Sequence, residues 1–216
     1  ATLEFNDAGD VLVVGNRQYN GNNNGTEDGR VLVYQEIDNV WSQKGTSIIS
    51  NNNESYFGSS VDISGDGDII ILGSPHTEVD GFEQGGFVRT YKFENNDWQQ
   101  IGSDIKGYAN QINFGRSVSL NNAGTILAIG ADGSGNSGTS RGVARIYEFE
   151  NNDWVQINAT IVGEASKDAF GSSIALSDSG SVVAIGGSNN DGNGSNAGHV
   201  RVFKNDGIVN NYTSIL

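Results

Sequence analysis

The chain has 216 residues, with 26 Asp and Glu against 12 Lys and Arg, a formal net charge of −14, and an isoelectric point near 4.3. That balance disfavours nucleic acid and anionic membrane surfaces as partners. There is no cysteine to act as a nucleophile or to form a disulfide, and the longest apolar runs, such as "VLVVG" and "IIILG", are far too short to span a bilayer.

The first element pair is "TLEFNDAGDVLVVGNR" from Thr2, two short strands about an Asx-Gly turn. The same pattern returns as "FGSSVDISGDGDIIILGSP" from Phe57, "FGRSVSLNNAGTILAIGAD" from Phe114 and "FGSSIALSDSGSVVAIGGS" from Phe170. Phe57, Phe114 and Phe170 lie 57 and 56 residues apart, and so do Trp41, Trp98 and Trp154. A fixed period near fifty residues marks a repeat architecture rather than one or two ordinary domains.

Each unit reads as four strands. The first alternates apolar and polar residues, and the second carries consecutive aliphatics that need apolar neighbours on both faces. A polar loop leads to a third strand ("GFVRTYKFE" in the second unit), and an Asn-rich turn leads to a fourth ("WQQIGSDIKG"). Sixteen strands in four sheets follow, with the sheets covering one another's faces around an axis. The expected fold is therefore an all-β propeller of four units of about fifty-seven residues, either closed as four blades or part of a larger ring. Residues 1–216 read as a single domain with repeats 1–56, 57–113, 114–169 and 170–216.

Repeated residues have structural explanations first. The phenylalanines are expected as buried plugs between sheets, each followed by a glycine that permits close backbone approach. Trp41, Trp98, Trp154 and, in the fourth unit, Tyr212 are expected to cover sheet faces. Arg89, Arg145 and Arg201 recur on the third strand, as a repeated ion pair or, alternatively, an anion-binding ring. His76 and His199 fall in or beside loops without partner spacing for a metal, and no nucleophile elbow or phosphate-binding loop is present.

The Phe-Gly pair, the hydrophobic run ending "GSP" and the "GFVRTY" strand together resemble the FG-GAP repeat of integrin-α-type propellers, closest to secreted microbial and algal repeat proteins. The resemblance implies four-stranded blades, a loop-borne ligand surface and adhesion rather than catalysis. On it, the chain is expected to be a non-catalytic extracellular or cell-surface binding module for a protein or carbohydrate ligand. The alternative is a filament or coat subunit that self-associates through repeat edges.

The resemblance also implies calcium in turns between the first two strands. Asp62, Ser64, Asp66 and Asp68 are the one candidate set, incomplete because Ile70 stands where the closing carboxylate belongs. Asp28, Asp80, Asp132 and Asp191 are the acidic candidates in the loops after the second strands. Five glycosylation sequons start at Asn24, Asn53, Asn158, Asn193 and Asn211. Ala1 is compatible with removal of a leader, and no cofactor other than calcium is expected.

Overall fold

The computed structural model describes residues 1–20, 28–50, 56–133, 140–205 and 212–215. The described residues form four antiparallel sheets, each built from consecutive strands. The first comprises β1 (Thr2–Phe5), β2 (Val11–Asn16), β3 (Arg30–Ile37), β4 (Val40–Gln43) and β5 (Ile48–Ile49). The second comprises β6 (Ser60–Ile63), β7 (Ile69–Ser74), β8 (Phe87–Glu94) and β9 (Asp97–Lys106). The third holds β10 (Phe114–Leu120), β11 (Ile126–Ala131), β12 (Val143–Glu150), β13 (Asp153–Gln156) and β14 (Ile161–Val162). The fourth holds β15 (Phe170–Leu176), β16 (Val182–Gly187), β17 (His199–Asn205) and β18 (Tyr212–Ser214).

Eighteen segments therefore stand where sixteen strands are expected. The difference lies in the outermost strand, which is split in two in the first and third sheets. In the first sheet the break contains Gly45, where a Cβ would lie 2.8 Å from the Trp98 ring of the next sheet. The second sheet meets the same crowding from Trp154 at Gly102, and there β9 stays continuous through an irregularity in its pairing. Three of the hairpins before this strand turn on Asp38-Asn39, Asn95-Asn96 and Asn151-Asn152, both residues of each pair at positive φ. That is the two-residue turn whose twist matches the strands it joins.

The registers align the sheets residue by residue. Thr2 faces Gly15, Ser60 faces Gly73, Ser117 faces Gly130 and Ser173 faces Gly186. The glycines end the aliphatic runs because the next sheet's Phe-Gly backbone sits against them. A Cβ on Gly15, Gly73 or Gly130 would lie 2.2 Å from the carbonyl oxygen of Gly58, Gly115 or Gly171. Those same carbonyls accept hydrogen bonds from Thr2 (3.2 Å), Ser60 (2.8 Å) and Ser117 (2.8 Å). Phe57, Phe114 and Phe170 are fully buried beside these contacts. Each sits in an apolar layer shared by adjacent sheets, the first joining Val11, Val13, Val31 and Val33 to Phe57, Ile70, Leu72 and Trp98. The second and third layers repeat it around Phe114 and Phe170. Burial of aliphatic surface on both faces of β7 and β11 is the main stabilising term of the stack.

The recurring aromatic of the last strand is also a contact between sheets. The Trp98 indole N–H donates to the Lys44 carbonyl (2.8 Å), and that of Trp154 to the Thr90 hydroxyl (2.8 Å), each in the preceding sheet. Tyr212 is buried too and donates to the Gly180 carbonyl within its own sheet. Trp41 differs: it is 41% exposed, against 7% for Trp98 and 8% for Trp154, and packs edge-on against Phe5. Among the described residues no sheet covers this face of the first. Trp154→Ala is accordingly expected to destabilise by about 3–5 kcal/mol, and Trp41→Ala by less than about 1 kcal/mol. Urea denaturation midpoints check the contrast.

Candidate functional site

The second strands β2, β7 and β11 all end toward the same side of the stack, and the residues just beyond them gather there. Arg17 follows β2, His76 follows β7 and Asp132 follows β11. Tyr56 and Ser59 flank the Phe57-Gly58 plug, and Arg116 occupies the variable place in Phe114-Gly115-Arg116-Ser117. An open cavity of about 280 Å³ is lined by Arg17, Gln18, Ser59 and Arg116 with the backbone of Gly15 and Gly58.

His76 packs edge-on against Tyr56, ring centroids 5.0 Å apart, and the Arg17 guanidinium lies 5.6 Å from the Tyr56 centroid on its other contact. Arg116 Nε pairs with Asp132 Oδ2 at 3.2 Å, and the Asn113 amide donates to Asp132 Oδ1 at 3.0 Å. Asp132 is buried and Arg116 is largely exposed, so the carboxylate acts as an anchor that holds the guanidinium at the mouth of the cavity. The imidazole of His76 is held below its ordinary pKa by burial, then by the Arg116 and Arg17 charges, with Asp132 opposing them. His76 does not itself line the cavity, whose guanidinium forks can hold a carboxylate, a phosphate or a developing oxyanion; a deprotonated imidazole near them can accept a proton.

The other sequence candidates are dispersed. Asp62 points away from its turn toward the third sheet, where Leu120 N–H donates to its carboxylate (2.6 Å); the Ile63 N–H of its own strand also donates to it (2.8 Å). The Ser64 hydroxyl donates to Asp66 (2.5 Å), and Asp68 pairs with the buried Lys44 (2.6 Å). Asp28 is buried at the head of β3, Asp80 pairs with Lys106 (2.7 Å), and Asp191 accepts from Asn196 N–H (2.7 Å). Among the described residues no three His, Cys, Asp or Glu side chains come together as a metal site. Asn158 is half-buried, with its side-chain oxygen accepting from Ile146 N–H, and Asn193 is exposed; Asn24, Asn53 and Asn211 lie outside the described residues. Arg89 is paired with Asp104 (2.7 Å) and lies over Phe57 and Phe87, Arg145 lies over Tyr108 and bonds Thr160, and Arg201 lies over Phe170 and Phe203. Arg89 and Arg201 thus lie over plug phenylalanines, Arg145 lies over Tyr108 instead, and each is engaged within its own surroundings rather than in an anion ring.

Burial raises the Asp62 pKa from 3.8 to about 6, the two backbone N–H bonds opposing it in part. The folded state therefore keeps a proton that the unfolded chain has already lost. Stability from this group is present below about pH 4 and declines as pH rises to about 6, by on the order of 2–3 kcal/mol. The expected result is that the stability of the protein relative to Asp62→Asn falls by this amount between pH 4 and pH 7. Parallel denaturant titrations check it, and a constant difference across that range would contradict it.

No protein-family model and no curated protein matches the chain at the level of sequence. Solved structures do match in shape. The Pseudomonas aeruginosa periplasmic gluconolactonase superposes with a TM-score of 0.64 at 15% identity, over 99% of this chain and 55% of that one. The fold is a β-propeller. A candidate 6-phosphogluconolactonase from Bacteroides uniformis matches at TM-score 0.60 and 11% identity, over 99% of this chain and 52% of that one. A complex of KlAtg21 with the coiled coil of AgAtg16 matches at TM-score 0.63 and 12% identity, over 99% and 56%. The chain thus spans about half the length of the propellers it resembles.

These matches correct one expectation. The sequence reading makes the chain a non-catalytic extracellular adhesion module, or else a filament or coat subunit, because Phe-Gly repeats imply adhesion. The same blades occur in structures named as gluconolactonases, so the scaffold does not argue against catalysis. Of the residues that could support it, sequence reasoning named His76 only as a histidine without metal spacing and Asp132 only as a calcium candidate, and it did not single out Arg17 or Arg116. One signal was available: the "FGRS" of the third blade replaces the "FGSS" of the second and fourth, and so breaks the repeat at Arg116.

Proposed function

We propose that these blades carry a hydrolase site for sugar lactones that bear an anionic group. The observation that carries the reading is the half-buried His76, its pKa lowered by burial and by the charges of Arg116 and Arg17, with Arg116 anchored on Asp132. The lactonase names of two structural neighbours support the substrate class. In this reading the arginines bind the substrate's phosphate or carboxylate and the oxyanion formed at the lactone carbonyl. His76 takes a proton from the water that adds to that carbonyl. The ring C–O bond then breaks, the proton passes to the departing ring oxygen, and the open hydroxy acid leaves as its carboxylate. One lactone and one water give one hydroxy carboxylate and one proton: the first water proton travels through His76 to the ring oxygen, and the second leaves the new carboxyl for solvent, where an indicator reads it.

The test is acid release from glucono-δ-lactone and its 6-phosphate, read with a pH indicator against spontaneous opening at the same pH. Acceleration by the protein, larger with the phosphate, is expected; rates equal to the spontaneous ones would overturn the reading.

The FG-GAP kinship of the repeat is a second part of the proposal, supported by three Phe-Gly pairs seated alike against glycines of the preceding blade. Calcium, which that kinship implies, has no place at Asp62 in this reading, because Leu120 N–H uses that carboxylate, and the loop carboxylate Asp80 is likewise held by Lys106. Calorimetric titration into chelator-treated protein is expected to give no submicromolar site that Asp66→Ala removes.

A further inference from the structure

The glycine in the turn between the first two strands of a blade packs on the preceding blade: Gly67 meets Val11, Gly124 meets Ile69 and Gly180 meets Ile126. At two of these junctions a side chain of the protein donates to the glycine carbonyl. Between the first and second blades the Lys44 ammonium donates to Gly67 O (2.8 Å), pairs with Asp68 (2.6 Å) and lies 4.7 Å from the centroid of the Phe93 ring. Lys44 is buried there, so a cation of the chain itself fills that junction. Between the third and fourth blades the Tyr212 hydroxyl donates to Gly180 O.

The junction between the second and third blades repeats this frame without the cation. Phe149 N–H donates to the Thr125 carbonyl (2.9 Å) as Phe93 N–H does to that of Asp68 (2.8 Å). Gly102 meets the Trp154 ring and the Asp153 carboxylate as Gly45 meets those of Trp98 and Asp97. This alignment puts Ile101 in the place of Lys44 and Thr125 in that of Asp68. The Ile101 side chain carries no donor, and Trp154, the counterpart of Tyr212, gives its N–H to Thr90. An open cavity of about 450 Å³ stands there, walled by Ile69, Ile101, Gly124, Thr125 and Phe149. Glu94 lines it too, where the first blade has Ile37, and is paired with Lys92 (2.5 Å).

We infer that this cavity binds a primary alkylammonium ion, in the place that Lys44 takes one junction earlier. The ammonium donates to the Gly124 carbonyl and the Thr125 hydroxyl and faces the Phe149 ring, while its aliphatic chain lies along Ile69 and Ile101. Glu94 supplies the carboxylate that Asp68 supplies at the first junction. The formal net charge of −14 favours a cation over an anion. Ile69 opens β7 and His76 follows its other end, so this site is separate from the cavity of Arg17 and Arg116 and does not rest on the hydrolase reading. A free aliphatic amine and a lysine side chain of a polypeptide present the same group.

The test titrates the whole chain with n-butylammonium chloride, followed by backbone amide NMR. Saturable shifts centred on Ile69, Gly124 and Thr125 are expected, with n-butanol weaker on the order of tenfold because it lacks the charge. N-acetyl-lysine methylamide distinguishes the sources: tighter binding than n-butylammonium assigns the site to a lysine side chain, weaker binding to a free amine. The double variant Ile101→Lys with Thr125→Asp rebuilds the pair of the first junction and is expected to abolish binding. Glu94 is exposed, so Glu94→Gln leaves the thermal midpoint nearly unchanged and is expected to weaken binding several-fold, which keeps the test decisive if the double variant fails to fold. Shifts that equal sodium chloride reproduces, shifts centred elsewhere, equal affinity for n-butanol, or unchanged affinity in Glu94→Gln would each overturn the inference.

Discussion

Phe114→Ala is expected to destabilise the protein by about 3–5 kcal/mol, the range for truncating a fully buried phenylalanine. The side chain is completely buried in the layer that joins Ile71 and Val88 of the second blade to Leu127 and Ile129 of the third. Its loss leaves a void at a junction that cannot close, because Gly115 and Gly73 already stand at backbone contact there. Small shifts of the neighbouring sheets are blocked by the Ser60 to Gly115 hydrogen bond. Denaturant midpoints of the protein and the variant provide the measurement. A change below about 1 kcal/mol would mean that the plugs are surface residues and that the blades are held by something else.

The second large effect is on turnover. His76→Gln is expected to lower lactone hydrolysis by about 10²–10⁴-fold, the usual contribution of a positioned general base. Gln retains hydrogen bonding and approximate size at a half-buried place, so the fold is expected to be unaffected. Arg116→Ala removes the fork anchored by Asp132 and is expected to raise KM for the phosphorylated lactone more than for the neutral one. An equal effect on both substrates would separate Arg116 from anion recognition while leaving the role of His76 open to the first variant.

The fold is legible in this sequence because a repeat states it several times. Phe-Gly, the aliphatic run and the closing glycine recur at a spacing that admits few architectures. The close approach of the blades is implicit too, since Gly15, Gly73 and Gly130 near the ends of β2, β7 and β11 each meet the backbone of the next blade. Splitting of the outer strand in the first and third sheets and not in the second was not legible: the same tryptophan contact meets Gly45 at a break and Gly102 within the continuous β9.

The candidate site was illegible for the opposite reason. Arg17, His76, Arg116 and Asp132 occupy positions where the four repeats disagree, and only the stacking of three blades brings Arg17 and Arg116 to one cavity and their charges to bear on His76. The acidic turn at Asp62 shows how local pattern misleads. Its spacing resembles a calcium loop, yet register turns Asp62 toward the neighbouring blade, where Leu120 N–H takes its carboxylate.

The pH–rate profile for opening of the phosphorylated lactone tests the central claim most directly. A neutral His76 acts as the base, so the rate falls as pH drops through its pKa and protonation removes the lone pair. Burial and the Arg116 and Arg17 charges place that midpoint below the ordinary histidine value of 6.5. The account predicts enzyme-dependent hydrolysis that holds its plateau to below pH 6.5 before declining, with the decline absent from the residual rate of His76→Gln. A rate no faster than spontaneous opening, or the same profile in His76→Gln, would contradict it.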